Sequence, residues 1–214
     1  LGGLGFSEPI IFMMVLSLCE KFCKDKIPFN ISKKIGDGAD GECFDLLNAP
    51  DKVIKLSVLY EYDKGNIEDQ YTQNISPIIN FLITNPSTIF AKIYYHNYLG
   101  SFTRDFNGNP QSFILYYYVM EKLQKISDDE QKVFHTILSH EDRGINKKYS
   151  ISDIRKILNG LKIGLDFSYK KIIDFYSEML CCPIIHLDLH PRNIMKDNFG
   201  NFKLIDLDRC DFRK

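Results

Sequence analysis

His186-Leu187-Asp188-Leu189-His190-Pro191-Arg192-Asn193, followed by Lys203-Leu204-Ile205-Asp206-Leu207-Asp208, is the stretch on which the reading of this 214-residue chain turns. Asp188 and Asn193 stand five apart, in a loop expected after an apolar helix over Asp166 to Cys182. Asp206 follows at the end of a short strand, and Asp197-Asn198-Phe199-Gly200-Asn201 between them is a natural hairpin turn. Phosphoryl transfer needs a carboxylate beside the acceptor hydroxyl and oxygen ligands for a magnesium ion bridging the phosphates. Asp188 fits the first role, and Asn193 and Asp206 fit the second. Two unrelated acidic turns would not be expected in this order and spacing.

Upstream, Gly36-Asp37-Gly38-Ala39-Asp40-Gly41 forms a GxGxxG string. Glycines let a backbone approach phosphates closely, and a dinucleotide-binding fold uses the same string where it opens a helix. Here Glu42 to Leu47 has the pattern of a returning strand, which favours a glycine hairpin over a nucleotide. Val53-Ile54-Lys55 then places a lysine at the end of an apolar strand, where an ammonium can hold phosphates. Glu68, on the helix expected next, is the candidate carboxylate to position Lys55, with Glu61 in reserve.

Around these motifs the pattern from Ile31 to Leu59 is strand, turn, strand, turn, strand, with Asn48-Ala49-Pro50-Asp51 as the second turn. A helix fits Lys64 to Ile83, where Ile67, Tyr71, Ile75, Ile78, Ile79 and Leu82 recur at helical spacing. Strands follow over Thr88 to Leu99 and Ser112 to Met120, joined by a turn over Arg104 to Gln111. Helices are expected over Asp128 to His140 and Ser152 to Leu161, the second capped by Ser152. The segment Gln124 to Leu165 is too long for a plain connection and reads as a helical insert bordering the acceptor.

In its motifs and their order the chain resembles the protein-kinase-like superfamily over nearly its whole length. The resemblance implies an α+β, bilobal fold with an N-lobe over 1–120, a hinge at 121–123 and a C-lobe over 124–214. The N-lobe would hold a five-stranded antiparallel sheet with one helix, and the C-lobe would be mostly helical and truncated. It implies Asp188 as catalytic base, Asn193 and Asp206 as metal ligands, and Lys55 on the α/β-phosphates. Glu121 and Leu123 would contact adenine through their backbones beside Met120 as gatekeeper. Val53 and Cys43 would form the adenine roof and Met195 its floor, under the loop of Gly36, Gly38 and Gly41. ATP and Mg2+ are the implied cofactors.

Departures from the family pattern are informative. Leu187 stands where many regulated protein kinases have arginine, His190 replaces a lysine, and Leu207-Asp208 replaces Phe-Gly. Only six residues follow Asp208, so no activation segment is expected. The strings His-Leu-Asp-Leu-His-Pro-Arg-Asn and Leu-Ile-Asp-Leu-Asp-Arg are similar to lipopolysaccharide-core sugar kinases, aminoglycoside and choline phosphotransferases, and RIO-type kinases. The expected activity is transfer of the ATP γ-phosphate to a hydroxyl of a small molecule or sugar. The alternatives are an atypical serine/threonine protein kinase and a nucleotide-binding pseudokinase acting as an interaction module.

Composition narrows the partners. With 27 basic and 28 acidic residues the net charge is -1, which gives no electrostatic case for nucleic acid. The apolar run Pro9 to Leu18 is too short to span a bilayer and reads as the start of a buried helix reaching about Lys24. It lacks the basic segment and small-residue cleavage site of a signal peptide. Six cysteines without zinc spacing are expected as free thiols in the cytoplasm.

Overall fold

The computed structural model describes residues 15–38, 41–60, 67–106, 109–139, 150–161 and 169–213. Its contacts divide the chain into two compact units, Leu1–Ile83 with Lys92–Lys122, and Thr84–Ala91 with Leu123–Lys214.

The first unit is built on a five-stranded antiparallel sheet of order β1-β2-β3-β5-β4. Its strands are β1 (Ile31–Gly38), β2 (Gly41–Leu46), β3 (Ala49–Tyr60), β4 (Ile93–Phe106) and β5 (Asn109–Glu121). Side chains alternate across a strand, so each face collects every second residue. Phe44, Ile54, Leu56, Val58, Leu115 and Tyr117 share one face and form a core with Val15, Leu18, Cys19 and Cys23 of helix α1 (Val15–Cys23). Those helix positions recur at helical spacing, which turns one apolar stripe to the sheet.

The opposite face carries Tyr116 and Tyr118 of β5 and meets a second helical stretch. This comprises α2 (Ile67–Gln70), a π-helical turn (Tyr71–Ile75) and α3 (Ser76–Thr84). Tyr71 packs its ring 5.0 Å from Tyr116 and 5.2 Å from Tyr98. The apolar residues expected to face inward, Ile67, Tyr71, Ile75, Ile78, Ile79 and Leu82, are all buried. The unit therefore has two helical stretches rather than one, and Lys64 to Asn66 of the expected helix lie outside the described residues.

Three strand boundaries differ from expectation. The second turn is Leu47-Asn48, and Pro50 and Asp51 already belong to β3. Lys55 consequently sits in the middle of β3, not at its end. The β4–β5 pairing continues to Phe106↔Asn109, into the expected turn at Arg104 to Gln111, because each strand finds a partner along its whole length. Thr88 to Lys92 is not strand: Ser87 Oγ accepts the amides of Ile89 and Phe90, and the segment bonds to Leu204 instead.

The second unit contains α4 (Asp128–Ser139), α5 (Ile151–Gly160) and α6 (Tyr169–Cys181). It also holds a sheet of order β6-β8-β9 and a β10-β7 pair. These strands are β6 (Gln124–Lys125), β7 (Ile184–His186), β8 (Ile194–Lys196), β9 (Phe202–Leu204) and β10 (Cys210–Phe212). Ser150, not Ser152, caps α5. Its hydroxyl accepts the Asp153 amide while the Asp153 carboxylate accepts the Ser150 amide, so two otherwise orphaned donors are satisfied reciprocally. Phe134 of α4 is fully buried and meets Phe202 of β9 edge-on at 4.9 Å and Phe175 of α6 at 5.9 Å. Phe134→Ala should cost about 3–5 kcal/mol of stability, as expected for a truncated core aromatic. Urea denaturation checks this, and a loss under about 1 kcal/mol would mean that this ring cluster is not the core of the unit.

Candidate active site

In the second unit, β7 ends at His186, and β10 holds that strand in place through the pairs Cys210↔His186, Asp211↔Ile185 and Phe212↔Ile184. The chain then turns through Leu187, whose amide donates to the Arg209 carbonyl at 2.7 Å. His186 is the brace of this loop. Its Nδ1 accepts the Asp188 amide at 3.3 Å, and its Nε2 lies 2.8 Å from the Ile205 carbonyl oxygen. An amide can only donate and a carbonyl can only accept, so the ring is neutral with its proton on Nε2. Burial pushes the His186 pKa below its ordinary value of 6.5.

Past Asp188, the loop closes into a short 3-10 turn, Pro191–Asn193, with His190 as its cap. His190 Nδ1 accepts the Arg192 amide, and its Nε2 lies 3.7 Å from Asp188 Oδ2. Asn193 is buried and donates through Nδ2 to the Asp188 carbonyl at 3.0 Å. That contact assigns its other terminal atom, Oδ1, as the candidate metal ligand. The Asn193 carbonyl in turn accepts the Ile205 amide at 3.0 Å. Ile205 is thus bound on its amide by Asn193 and on its carbonyl by His186.

Asp206 follows immediately, and its φ of 66° is left-handed. Among the described residues it is the one non-glycine with positive φ. Such a backbone persists only where its surroundings enforce it, and it clusters at functional sites. Aspartate is among the non-glycine residues enriched in this region, but nothing in Leu-Ile-Asp-Leu-Asp says which of its two aspartates adopts it.

In the first unit, direct pairing places Cys43, Lys55, Tyr118 and His96 in one rung across β2, β3, β5 and β4. Asp45, Val53, Met120 and Ile93 form the next rung. Cys43, Val53, Lys55 and Met120 therefore share one face. The Lys55 ammonium lies 5.7 Å from the centre of the Tyr118 ring. Burial pushes the Cys43 thiol up to about 11, against the opposing pull of Lys55.

Glu121 ends β5. Its amide donates to the Lys92 carbonyl at 2.9 Å, and its carboxylate accepts the Lys92 amide at 2.8 Å. Glu68 is exposed on α2 and accepts from the Tyr98 hydroxyl at 3.4 Å. The reserve carboxylate, Glu61, lies outside the described residues.

The glycine string closes an antiparallel hairpin, with Gly38 paired to Gly41 and Gly36 to Cys43. It leads from strand to strand, so it does not open a helix as a dinucleotide-binding turn must. The glycines differ in what requires them. A Cβ at Gly41 would lie 2.4 Å from the Leu56 carbonyl and 3.2 Å from Lys55 Cε, so the sheet itself demands glycine there. At Gly36 a Cβ would meet Cys43 at an ordinary 3.9 Å, and at Gly38 it would meet nothing within 4 Å. Packing does not explain those two.

Met195 is half-buried on β8 and pairs with Lys125 and Lys203. Leu123 precedes β6 in the same unit. Helix α4 of the expected insert packs near the Pro191–Asn193 turn, and its Glu130 pairs with Lys196 of β8 at 2.8 Å. Residues 140–149 and 162–165 of that insert lie outside the described residues. Among the described residues no group of three or more His, Cys, Asp or Glu side chains stands ready to hold a metal. The six cysteines are free thiols, and no helix of the described residues is long and apolar enough to cross a membrane.

No protein-family profile and no curated protein matches the sequence. Among solved structures, the chain is similar to the ROP18 kinase domain in complex with AMP-PNP and sucrose, with 12% identity and a TM-score of 0.44. The match covers 86% of this chain and 52% of that one, so the chain spans about half the length of the structure it matches.

His186 makes stability depend on pH. The native imidazole resists protonation, so below its ordinary value of 6.5 the unfolded chain binds more protons than the native one. The contribution of the neutral ring is present above 6.5 and is lost as pH falls through the lower native value. Thermal midpoints at pH 7.5 and 5.5 should differ more for the wild type than for His186→Gln. Equal differences would mean that the ring is not held neutral.

Proposed function

We propose that this chain is an ATP- and magnesium-dependent phosphotransferase of kinase-like fold, with a hydroxyl group of a small molecule or sugar as acceptor. The observation that carries this reading is the left-handed Asp206, held next to an Ile205 that is bonded on its carbonyl by His186 and on its amide by Asn193. A cross-braced aspartate and asparagine, with a second aspartate in an enforced conformation, is costly to keep and has no packing purpose.

Asp188 is assigned as the base. Its amide and carbonyl are fixed by His186 and Asn193, while its carboxylate is 58% exposed and free of the core. It would orient the acceptor hydroxyl and receive its proton. Asn193 Oδ1 and the Asp206 carboxylate are the metal ligands. Two protein oxygens suit magnesium, which keeps waters and takes its remaining ligands from substrate phosphates. Bound there, the ion would neutralise charge on the transferring phosphate.

Lys55 is assigned to the α/β-phosphates. Gly36 and Gly38, which packing does not require, carry no side chain that would keep phosphate oxygens from the hairpin backbone. Val53, Cys43, Met120 and Met195 are assigned to adenine. Glu121 would offer its carbonyl to adenine, since its amide is already bonded to Lys92. Glu68 would steady Lys55, and Leu123 would contribute its backbone. The acceptor class follows from the resemblance of the catalytic strings to small-molecule kinases.

Thermal-shift titration tests the nucleotide half of this assignment. ATP with magnesium should stabilise the protein more than ATP with chelator. Asp206→Gly should raise the unliganded stability by about 1 kcal/mol, because glycine adopts positive φ without strain, yet abolish the magnesium-dependent part. Equal shifts with and without magnesium would remove the metal assignment. Radiolabelled ATP offered to pooled sugars, amino alcohols, aminoglycosides and generic protein substrates tests the acceptor. Label on a small molecule is expected, and label on protein alone would overturn the acceptor class.

A further inference from the structure

Strand β2 presents Glu42, Phe44 and Leu46 to the face covered by α1, and all three are buried, at 5%, 2% and 6% exposure. Alternation calls for an apolar residue at each of these positions, and Glu42 breaks the pattern. A buried carboxylate is expensive unless its oxygens are bonded. Both oxygens of Glu42 are. Oε2 accepts the amide of Leu16, at the start of described α1, at 2.9 Å, and Oε1 accepts the Lys34 ammonium from β1 at 2.7 Å.

Lys34 also reaches Asp37, at 3.6 Å, between the two glycines that packing leaves unexplained. A polar chain therefore runs from α1 through Glu42 and Lys34 to the glycine hairpin. A hydrophobic side chain would fill the same space, so packing alone does not account for the charge.

We propose that Glu42 is a positioning residue that locks the glycine hairpin to α1 and so sets the affinity for nucleotide, an inference resting on the phosphotransferase reading above. The carboxylate grips the two arms of the arrangement separately, helix on one oxygen and β1 on the other. Losing either bond lets Gly36 and Gly38 of β1 shift relative to the strand that carries Lys55. The reacting atoms are untouched, so the effect falls on nucleotide binding and not on the chemical step.

The test compares wild type with Glu42→Gln and with Lys34→Met. Lys34 has a side chain 39% exposed, so its replacement does not threaten folding. Both variants should raise KM for magnesium-ATP by ~5–10-fold, the scale of a lost charge-assisted hydrogen bond expressed in part at the ligand, with kcat within about twofold. Lys34→Arg should restore most of the affinity, which a purely structural role would not require. Amide exchange within 31–38 should accelerate in both variants without nucleotide present. KM within about twofold of wild type in both variants would overturn the inference even if exchange accelerates, leaving Glu42 a structural cap. A wild type that binds no ATP would sink the phosphotransferase reading and this inference together. A wild type that binds ATP, with Glu42→Gln binding it equally, would sink this inference alone.

Discussion

The contact from His186 Nε2 to the Ile205 carbonyl is the constraint on which the arrangement of Asp188, Asn193 and Asp206 depends. A neutral imidazole is shaped for this task. It offers one donor and one acceptor on opposite sides of a rigid ring, and here it bridges the residue before Asp206 to the amide of Asp188. A protonated ring would turn a second N–H against that amide, so the brace and the neutral state support each other. With Ile205 held on its other side by Asn193, little freedom remains for the next residue, and Asp206 takes a backbone conformation it would not choose alone. The strain is local, and ordinary packing around Phe134, Phe175 and Phe202 stabilises the unit that bears it.

The first unit solves a different problem with a simpler rule. Antiparallel pairing puts Cys43, Val53, Lys55 and Met120 on one face because each lies opposite its neighbour across the ladder. The other face is closed by α1. That division buries apolar side chains on both faces of one sheet while leaving Lys55 beside the Tyr118 ring, and Glu42 is the buried carboxylate it has to accommodate.

Much of this was legible in the residues. The apolar runs ending at Lys55 and spanning Phe113 to Met120, rich in β-branched and aromatic residues, mark strands, and the spacing from Ile67 to Leu82 marks a helix. The order of Asp188, Asn193 and Asp206 marks a candidate site, since residue types and spacing are chemical information carried by the chain itself. What stayed hidden depends on tertiary partners. Pro50 reads as a turn breaker, yet it sits in β3. Thr88 to Lys92 reads as strand, but Ser87 and Leu204 claim its amides. Glu42 falls in the strand expected over Glu42 to Leu47, but its burial and its bond to the Leu16 amide depend on the position of α1. The left-handed φ of Asp206 is not marked in the sequence, because the residue before it, Ile205, is held by His186 and Asn193 from elsewhere in the chain.

The central claim is that Asp188 serves the acceptor while other residues serve the nucleotide. Comparing wild type with Asp188→Asn for both turnover and magnesium-ATP affinity tests it most directly. The substitution keeps the shape of the side chain and its backbone bonds to His186 and Asn193, and it removes only the charge. Turnover should fall by ~10²-fold or more, as expected for loss of a general base, while the affinity for magnesium-ATP stays within about twofold. Near-normal turnover in Asp188→Asn, or a loss of affinity as large as the loss of turnover, would contradict the account.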